Sequence, residues 1–367
     1  MNATRAAVDL DDVEGLLAAD RDGLLRAASM AGAQVRATAA ALDEGDLDAL
    51  KSDTPPRTVI WVAGRGNAET AGAMLSATLG GSVGSPIVVA SEVPPWIGAL
   101  DVLILAGDDP GDPVLVEAAA TGVRRGARIA VVAPYEGPLR DATAGRSVSL
   151  APRLWVRDEF GLTRYLAAGL AVLHMVDAGL QVDLAALADE LDAEAFRNSA
   201  ARELFTNPAK TLAERMSGRD VVLAGDNPAT LALARHGAAI LLRIAHQPVA
   251  AVGLADALVA TSGGMGSEQG ADHERSIFHD EEIDGPLPRR VRTFVLATDA
   301  ERPVVVARVS GFDSVDVINA EDVPEALDST GAPEAAAAPG SAGPEQQLAM
   351  LAVRLEMTAT YLRLVRG

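Results

Sequence analysis

Thr58-Val-Ile-Trp-Val-Ala63, followed by Gly64-Arg-Gly-Asn67, is the stretch whose reading decides the fold. The run is apolar without alternation, entered through Pro55-Pro56 and left through a glycine turn. Pro86-Ile-Val-Val-Ala90, Val102-Leu-Ile-Leu105 and Arg128-Ile-Ala-Val-Val132 repeat the pattern downstream. Continuous apolar runs of this length suit strands covered on both faces. Alanine-rich helical patterns lie between them, at Glu69–Leu79 and Val114–Arg125. That alternation predicts an α/β chain with a doubly wound parallel sheet and crossover helices. Ligands bind such sheets beyond the carboxyl ends of the strands, which points to the loops at 64–68 and 107–113.

A second cycle starts at Asp220-Val-Val-Leu-Ala224, turns at Gly225-Asp-Asn-Pro228 and enters another alanine/leucine helix, Ala229–Ile244. Ala63-Gly64-Arg65, Ala106-Gly107-Asp108 and Ala224-Gly225-Asp226 all end an apolar strand with Ala-Gly and a charged residue. The shared layout predicts two related halves. The expected divisions are an N-terminal helix and linker (1–56), a first unit (57–200), a second unit (201–327), a Pro/Gly/Ala linker (328–344) and a C-terminal helix (345–367). The leucine spacing predicts one helix over Val13–Ala41, packed on the outside of the first sheet. A long apolar helix is expected at Asp158–Ala178 and an amphipathic one at Leu184–Phe196. Ser147–Leu150, Gln247–Val252, Thr293–Thr298, Val304–Val309 and Ser314–Ile318 read as further strands. Leu348, Leu351, Leu355 and Leu362 share one face of the final helix, which is expected to reach back across a domain or dimer interface.

Length and charge remove several classes. A chain of 367 residues with 49% hydrophobic content can bury two substantial cores. A net charge of −20 disfavours nucleic acid and anionic membrane as partners. Aromatic residues make up only 3%, so no base-stacking platform is expected. No cysteine is present, which excludes disulfides, zinc–thiolate sites and cysteine nucleophiles. The longest apolar segment, Tyr165–Val176, is too short to span a bilayer. Met1–Asp12 is acidic and lacks a signal-peptide core, so a cytoplasmic location is expected.

The glycine turn, the Val102–Leu105 strand, the polar loop, the helix ending Arg124-Arg125-Gly126-Ala127 and the Arg128–Val132 strand together resemble a SIS (sugar isomerase) domain. The opening helix, the Ser91-Glu-Val-Pro-Pro-Trp96 ending and Leu348–Gly367 extend the likeness to the bifunctional phosphoglucose/phosphomannose isomerases. Those proteins carry two SIS domains and a C-terminal helix. The alanine-rich, acidic composition is similar to the degenerate, TobH-like branch. The resemblance implies two SIS-type units, a homodimer, no cofactor, and a sugar phosphate or related carbohydrate as ligand.

The diagnostic motifs of that family are altered. Asn67 stands where the first turn ends in serine. Where the family has Ser-x-Ser-Gly-Asn-Thr to hold phosphate, this chain has Gly107-Asp-Asp-Pro-Gly-Asp112. A carboxylate accepts hydrogen bonds but cannot donate one to a phosphate. A like-charge pair at about 4 Å costs roughly 4 kcal/mol at an effective dielectric of 20, whereas a helix N-terminus offsets about 0.3–1 kcal/mol. Repulsion therefore wins unless a metal ion or Arg65 intervenes. The family's glutamate base corresponds to Arg243, its ring-opening histidine stretch to Ala255-Asp-Ala-Leu-Val259, and its C-terminal lysine region to Gln346-Gln347.

The candidate ligand contacts are thus Gly64, Arg65, Gly66, Asn67, Gly107, Asp108, Asp109, Gly111, Asp112 and Arg243. The expected function is carbohydrate-derivative binding by a member that is non-catalytic or regulatory. One alternative is an active glucose/mannose 6-phosphate isomerase using His246 or His279 as base, and another is a structural partner of a sugar enzyme. Asp108, Asp109 and Asp112 could hold magnesium or calcium, or form a solvated helix-start loop. His273, Glu274, His279, Asp280 and Glu281 offer metal-ligating atoms at no recognisable spacing and read as a surface loop. Arg289, Arg290 and Arg292 could receive an anion or pair with neighbouring acids. A dinucleotide reading of Gly64-x-Gly66 fails because Glu69 occupies the third glycine position.

Overall fold

The computed structural model describes residues 8–265, 290–321 and 342–366. The first sheet contains β1 (Thr58–Val62), β2 (Ile87–Ala90), β3 (Asp101–Ala106), β4 (Arg128–Val132) and β5 (Ser147–Ser149), all parallel, in the order β2-β1-β3-β4-β5. The second contains β6 (Asp220–Gly225), β7 (Val249–Gly253), β8 (Val291–Leu296) and β9 (Val315–Ile318), parallel in the order β7-β6-β8-β9. The two sheets share one winding plan, with β6 in the place of β1. Ala63-Gly64 and Ala224-Gly225 therefore leave equivalent strands.

The helices are α1 (Val13–Ala19), α2 (Leu24–Ala28), α3 (Ala31–Asp43), α4 (Gly66–Leu79), α5 (Pro113–Arg125), α6 (Gly137–Thr143) and α7 (Leu162–Val176). They continue with α8 (Leu184–Arg197), α9 (Pro208–Met216), α10 (Pro228–Arg243), α11 (Leu254–Ser262), α12 (Arg302–Val309) and α13 (Pro344–Arg366).

Alternate strand residues go to opposite faces, and both faces are covered. Val59 and Trp61 meet Ala71 and Leu75 of α4 and Leu166 and Leu170 of α7. Ile60, Val62, Leu103 and Leu105 face Leu115 and Ala118 of α5 and Leu139 of α6. The second sheet sends Ala224 and Val295 to α11 and α12, and Leu223, Phe294 and Leu296 to the central core with α10 and α13. Helix α4 rests on α10. The layers thus run helix, sheet, helix, sheet, helix, with one apolar core shared by both halves.

Two close approaches hold the strand–helix units together. A Cβ on Gly72 or Gly169 would fall within 2.8 Å of the Trp61 ring. A Cβ on Gly225 would lie 2.3 Å from the Leu231 amide nitrogen, a backbone atom that cannot rotate aside. Gly225→Ala is expected to destabilise by about 1–3 kcal/mol through overpacking. A thermal-unfolding comparison with the wild type checks this.

Four expectations are corrected. Val13–Ala41 is three helices, because the Asp20 carboxylate accepts from the Leu24 and Leu25 amides and Gly23 takes φ +65°. Of these helices, α3 packs on α7 and α8. Val304–Val309 is helical, not a strand: two parallel strands, β8 and β9, need a crossover, and Pro303 is pre-set for the first helical turn. The Asp158–Ala178 helix begins only at Leu162; Asp158–Phe160 forms a separate 3-10 turn. The final helix is buried on every side from Gln347 to Leu362 rather than on one leucine face, and it touches both halves. His273, Glu274, His279, Asp280, Glu281, Arg289 and most of the 328–344 tract lie outside the described residues. No helix among the described residues is long and apolar enough to cross a membrane.

Candidate functional site

The loops beyond the carboxyl ends of β3, β4 and β5 surround a cleft of about 260 Å³. Asp108, Arg157, Asp158 and Arg164 line it, with Gln34 from α3 and Trp155 from the 150–157 segment. Its position follows from the parallel winding, which brings these loops to one end of the sheet.

The three loop aspartates do not act together. Asp112 caps α5, accepting from the Val114 amide at 2.9 Å ahead of Pro113. Asp109 accepts from the Gly111 amide at 2.8 Å and closes its own turn. Only Asp108 reaches the cleft, where Oδ1 accepts from Arg164 Nη2 at 2.8 Å and from the Tyr165 hydroxyl. Among the described residues no group of three or more His, Asp or Glu side chains converges as a metal site would require. Asp112 Oδ1 thus takes one free amide at the start of α5 and puts a carboxylate there. Asp112→Ala should cost about 1 kcal/mol of stability, within the 0.5–2 kcal/mol range of lost caps, measured by thermal unfolding.

The counter-charge comes from α7 and not from Arg65, which is exposed and forms no ion pair among the described residues. Arg164 lies over the Tyr165 ring, 4.1 Å from its centroid, and holds Asp108 with one edge of its guanidinium. Its other nitrogen, Nη1, is buried and has no hydrogen-bond partner among the described residues. Burial pushes the Tyr165 hydroxyl well above its ordinary pKa, so it remains a donor to Asp108. Burial, and then the neighbouring Asp108 charge, pushes the Asp158 carboxyl up. Burial also acts on Glu159, but its own backbone amide together with Arg243 and Arg157 brings it below the usual carboxylate range.

The other sequence candidates are placed as follows. Gly64 and Gly66 are exposed in the turn that starts α4, with Gly66 at φ +68°. Asn67 is buried and donates Nδ2 to the Asp158 and Glu159 carbonyls at 2.6 and 3.1 Å, which fixes the 3-10 turn beside the cleft. Gly107 and Gly111 shape the 107–112 loop, and a Cβ on Gly107 would press on Leu115 at 2.7 Å. Arg243 bridges the two halves by pairing with Glu159 at 3.2 Å. His246 is exposed at φ +54° and does not line the cleft, and His279 lies outside the described residues. Arg292 is held by both oxygens of Asp316 at 2.5 and 2.8 Å.

Sequence reasoning misses Arg164, Tyr165, Asp158 and Trp155. A signal exists for Arg164: a single arginine in the first turn of an otherwise apolar helix must have a paired or functional role, because burying it alone is costly.

No family model and no curated protein matches the chain. Solved structures do. A Clostridium difficile 630 protein assigned as a phosphosugar isomerase superposes with a TM-score of 0.60 at 14% identity, covering 94% of this chain and 93% of that one. Tagatose-6-phosphate ketose/aldose isomerase from Escherichia coli gives 0.60 at 14% identity, covering 94% and 91%. The C-terminal domain of glucosamine-fructose-6-phosphate aminotransferase from Francisella tularensis gives 0.56 at 11%, covering 96% of each. At these identities the likeness establishes the fold, two SIS-type doubly wound parallel-sheet units.

Proposed function

We propose that this chain binds a carbohydrate derivative of the sugar-phosphate class in the cleft at the end of the first sheet, as a non-catalytic or regulatory relative of the phosphoglucose/phosphomannose isomerases. The observation that carries the reading is Arg164. A buried charged donor without a partner is costly, more than the 1–3 kcal/mol or so of a neutral group. With the guanidinium turned toward the cleft, a phosphate oxygen on Nη1 would satisfy it with a charge-assisted bond. Asp108 keeps Oδ2 available to accept from a sugar hydroxyl while Oδ1 is occupied. The Asp112 carboxylate stands at the α5 terminus, so the phosphate would sit on a side-chain arginine and not on loop amides.

The names of the structural neighbours support the ligand class, since tagatose 6-phosphate and fructose 6-phosphate both appear in them. The non-catalytic part rests on residues: the resemblance puts Arg243 at the base position, where it pairs with Glu159, and among the described residues no histidine lines the cleft. The resemblance through both halves extends the reading to a homodimer, for which light scattering is the test. A thermal-shift titration with glucose 6-phosphate, mannose 6-phosphate and fructose 6-phosphate tests the binding. A ligand at about 100 times its Kd adds about 2.7 kcal/mol. No shift with any of the three would remove the reading.

A second reading, an aldose–ketose isomerase with relocated groups, is favoured by Asp158. It lines the cleft, and burial followed by the Asp108 charge pushes its carboxyl up, the direction that favours a general base. Fructose 6-phosphate formation from glucose 6-phosphate that vanishes in Asp158→Asn would establish it.

A further inference from the structure

The chain has three tryptophans, and two are engaged by the fold. Trp61 is buried and donates Nε1 to the Ala68 carbonyl at 2.9 Å. Trp96 is 48% exposed and has the Arg57 guanidinium over its ring, 5.6 Å from the centroid. Trp155 is 85% exposed and makes no hydrogen bond or ring contact among the described residues, yet it lines the same cleft as Asp108 and Arg164. Phe205 and Phe196 are also exposed, at 78% and 64%, but neither lines the cleft; among the described residues Trp155 is the aromatic ring that does.

The segment that carries the ring is fixed in place. Arg153 grips Glu44 through two bonds at 3.0 and 2.6 Å and Asp46 through a third at 2.8 Å. On the other side, Asn67 ties down the Asp158 and Glu159 carbonyls. The backbone on either side of the indole is therefore anchored. The 260 Å³ cleft is smaller than the roughly 300–1,000 Å³ of sites for drug-sized ligands. It has room for one monosaccharide phosphate.

We propose that Trp155 is the stacking platform of this cleft and makes it selective for a ring-closed hexose phosphate over an open-chain one. The inference rests on the sugar-phosphate reading above. A pyranose offers a flat face of polarised C–H groups, which the electron-rich face of an indole attracts. An open-chain polyol has no such face, so its affinity depends on Arg164 and Asp108 alone. With the phosphate on Arg164 and hydroxyls on Asp108, the free face of the ring meets Trp155.

The test is a titration of wild type, Trp155→Ala and Trp155→Phe with glucose 6-phosphate, sorbitol 6-phosphate and inorganic phosphate, read by calorimetry and by tryptophan emission. Glucose 6-phosphate is expected to shift the wild-type emission to the blue. It should bind Trp155→Ala about tenfold more weakly, with Trp155→Phe recovering most of the loss. Sorbitol 6-phosphate and inorganic phosphate should bind all three proteins alike. Equal glucose 6-phosphate affinity for wild type and Trp155→Ala would overturn the platform while leaving sugar-phosphate binding intact. An equal loss for sorbitol 6-phosphate would overturn the selectivity. Failure of every phosphate to bind the wild type would overturn the functional reading and this inference together.

Discussion

Replacing Glu194 with alanine is expected to lower the unfolding free energy by about 3–5 kcal/mol. Glu194 lies on α8 and Arg354 on α13; their side chains are 0% and 1% exposed. Arg354 donates Nε to Glu194 Oε1 at 2.7 Å and Nη2 to Oε2 at 3.2 Å. It also reaches the Asn319 and Ala320 carbonyls just beyond β9, at 2.8 and 2.9 Å. Arg197 and Asn198 add donors to the same carboxylate. One ionic knot therefore ties the last helix to both halves, and removing the carboxylate leaves a buried guanidinium without its counter-charge. Urea unfolding followed by circular dichroism measures the loss, and a change under about 1 kcal/mol, the scale of an exposed ion pair, would contradict it. The pH dependence has a definite sign. Burial pushes the Glu194 carboxyl up, but Arg354 and Arg197 overcome this and hold it below the ordinary value of a glutamate in the unfolded chain. Its contribution is complete above that value and is lost as pH falls through the depressed one. The wild type should lose its advantage over Glu194→Ala only in that acid range.

Arg164→Ala is the second large effect, expected on binding. Losing a charge-assisted hydrogen bond to the phosphate costs about 1.5–3 kcal/mol, so hexose-phosphate affinity should fall by roughly 10- to 100-fold. Two contributions add. The phosphate loses its donor, and Asp108 loses the cation that balances it beside Asp158. Arg164→Lys keeps the charge but cannot hold Asp108 and a phosphate at once with a planar fork, so it should recover only part of the affinity. Calorimetry of both variants decides this, and affinity within about threefold of wild type for Arg164→Ala, under about 1 kcal/mol, would exclude the assignment.

The sheets are legible because β1, β3 and β4 are covered on both faces, so their apolar runs stand out in any window. Val304–Val309 misleads for the opposite reason. Its valines favour a strand locally, and only the need to cross between two parallel strands makes it helical. The N-terminal break is written in Asp20-Arg-Asp-Gly23, although the leucine spacing on either side outweighs it. Three carboxylates within five residues look like a barrier to phosphate, yet charge counting cannot see direction. Asp112 and Asp109 turn back on their own backbone, and only Asp108 faces the cleft. Arg164 escapes notice because its partner is 56 residues earlier in the chain. Glu194 and Arg354, 160 positions apart, are hidden in the same way.

The central claim is that a sugar phosphate binds through the free edge of Arg164. A crystal structure of the chain grown with glucose 6-phosphate tests it most directly. The prediction is a phosphate oxygen within hydrogen-bond reach of Arg164 Nη1, a sugar hydroxyl on Asp108 and the Asp112 cap undisturbed. A phosphate seated on the amides of the 107–113 loop with Arg164 untouched would contradict it, as would an empty cleft at saturating ligand.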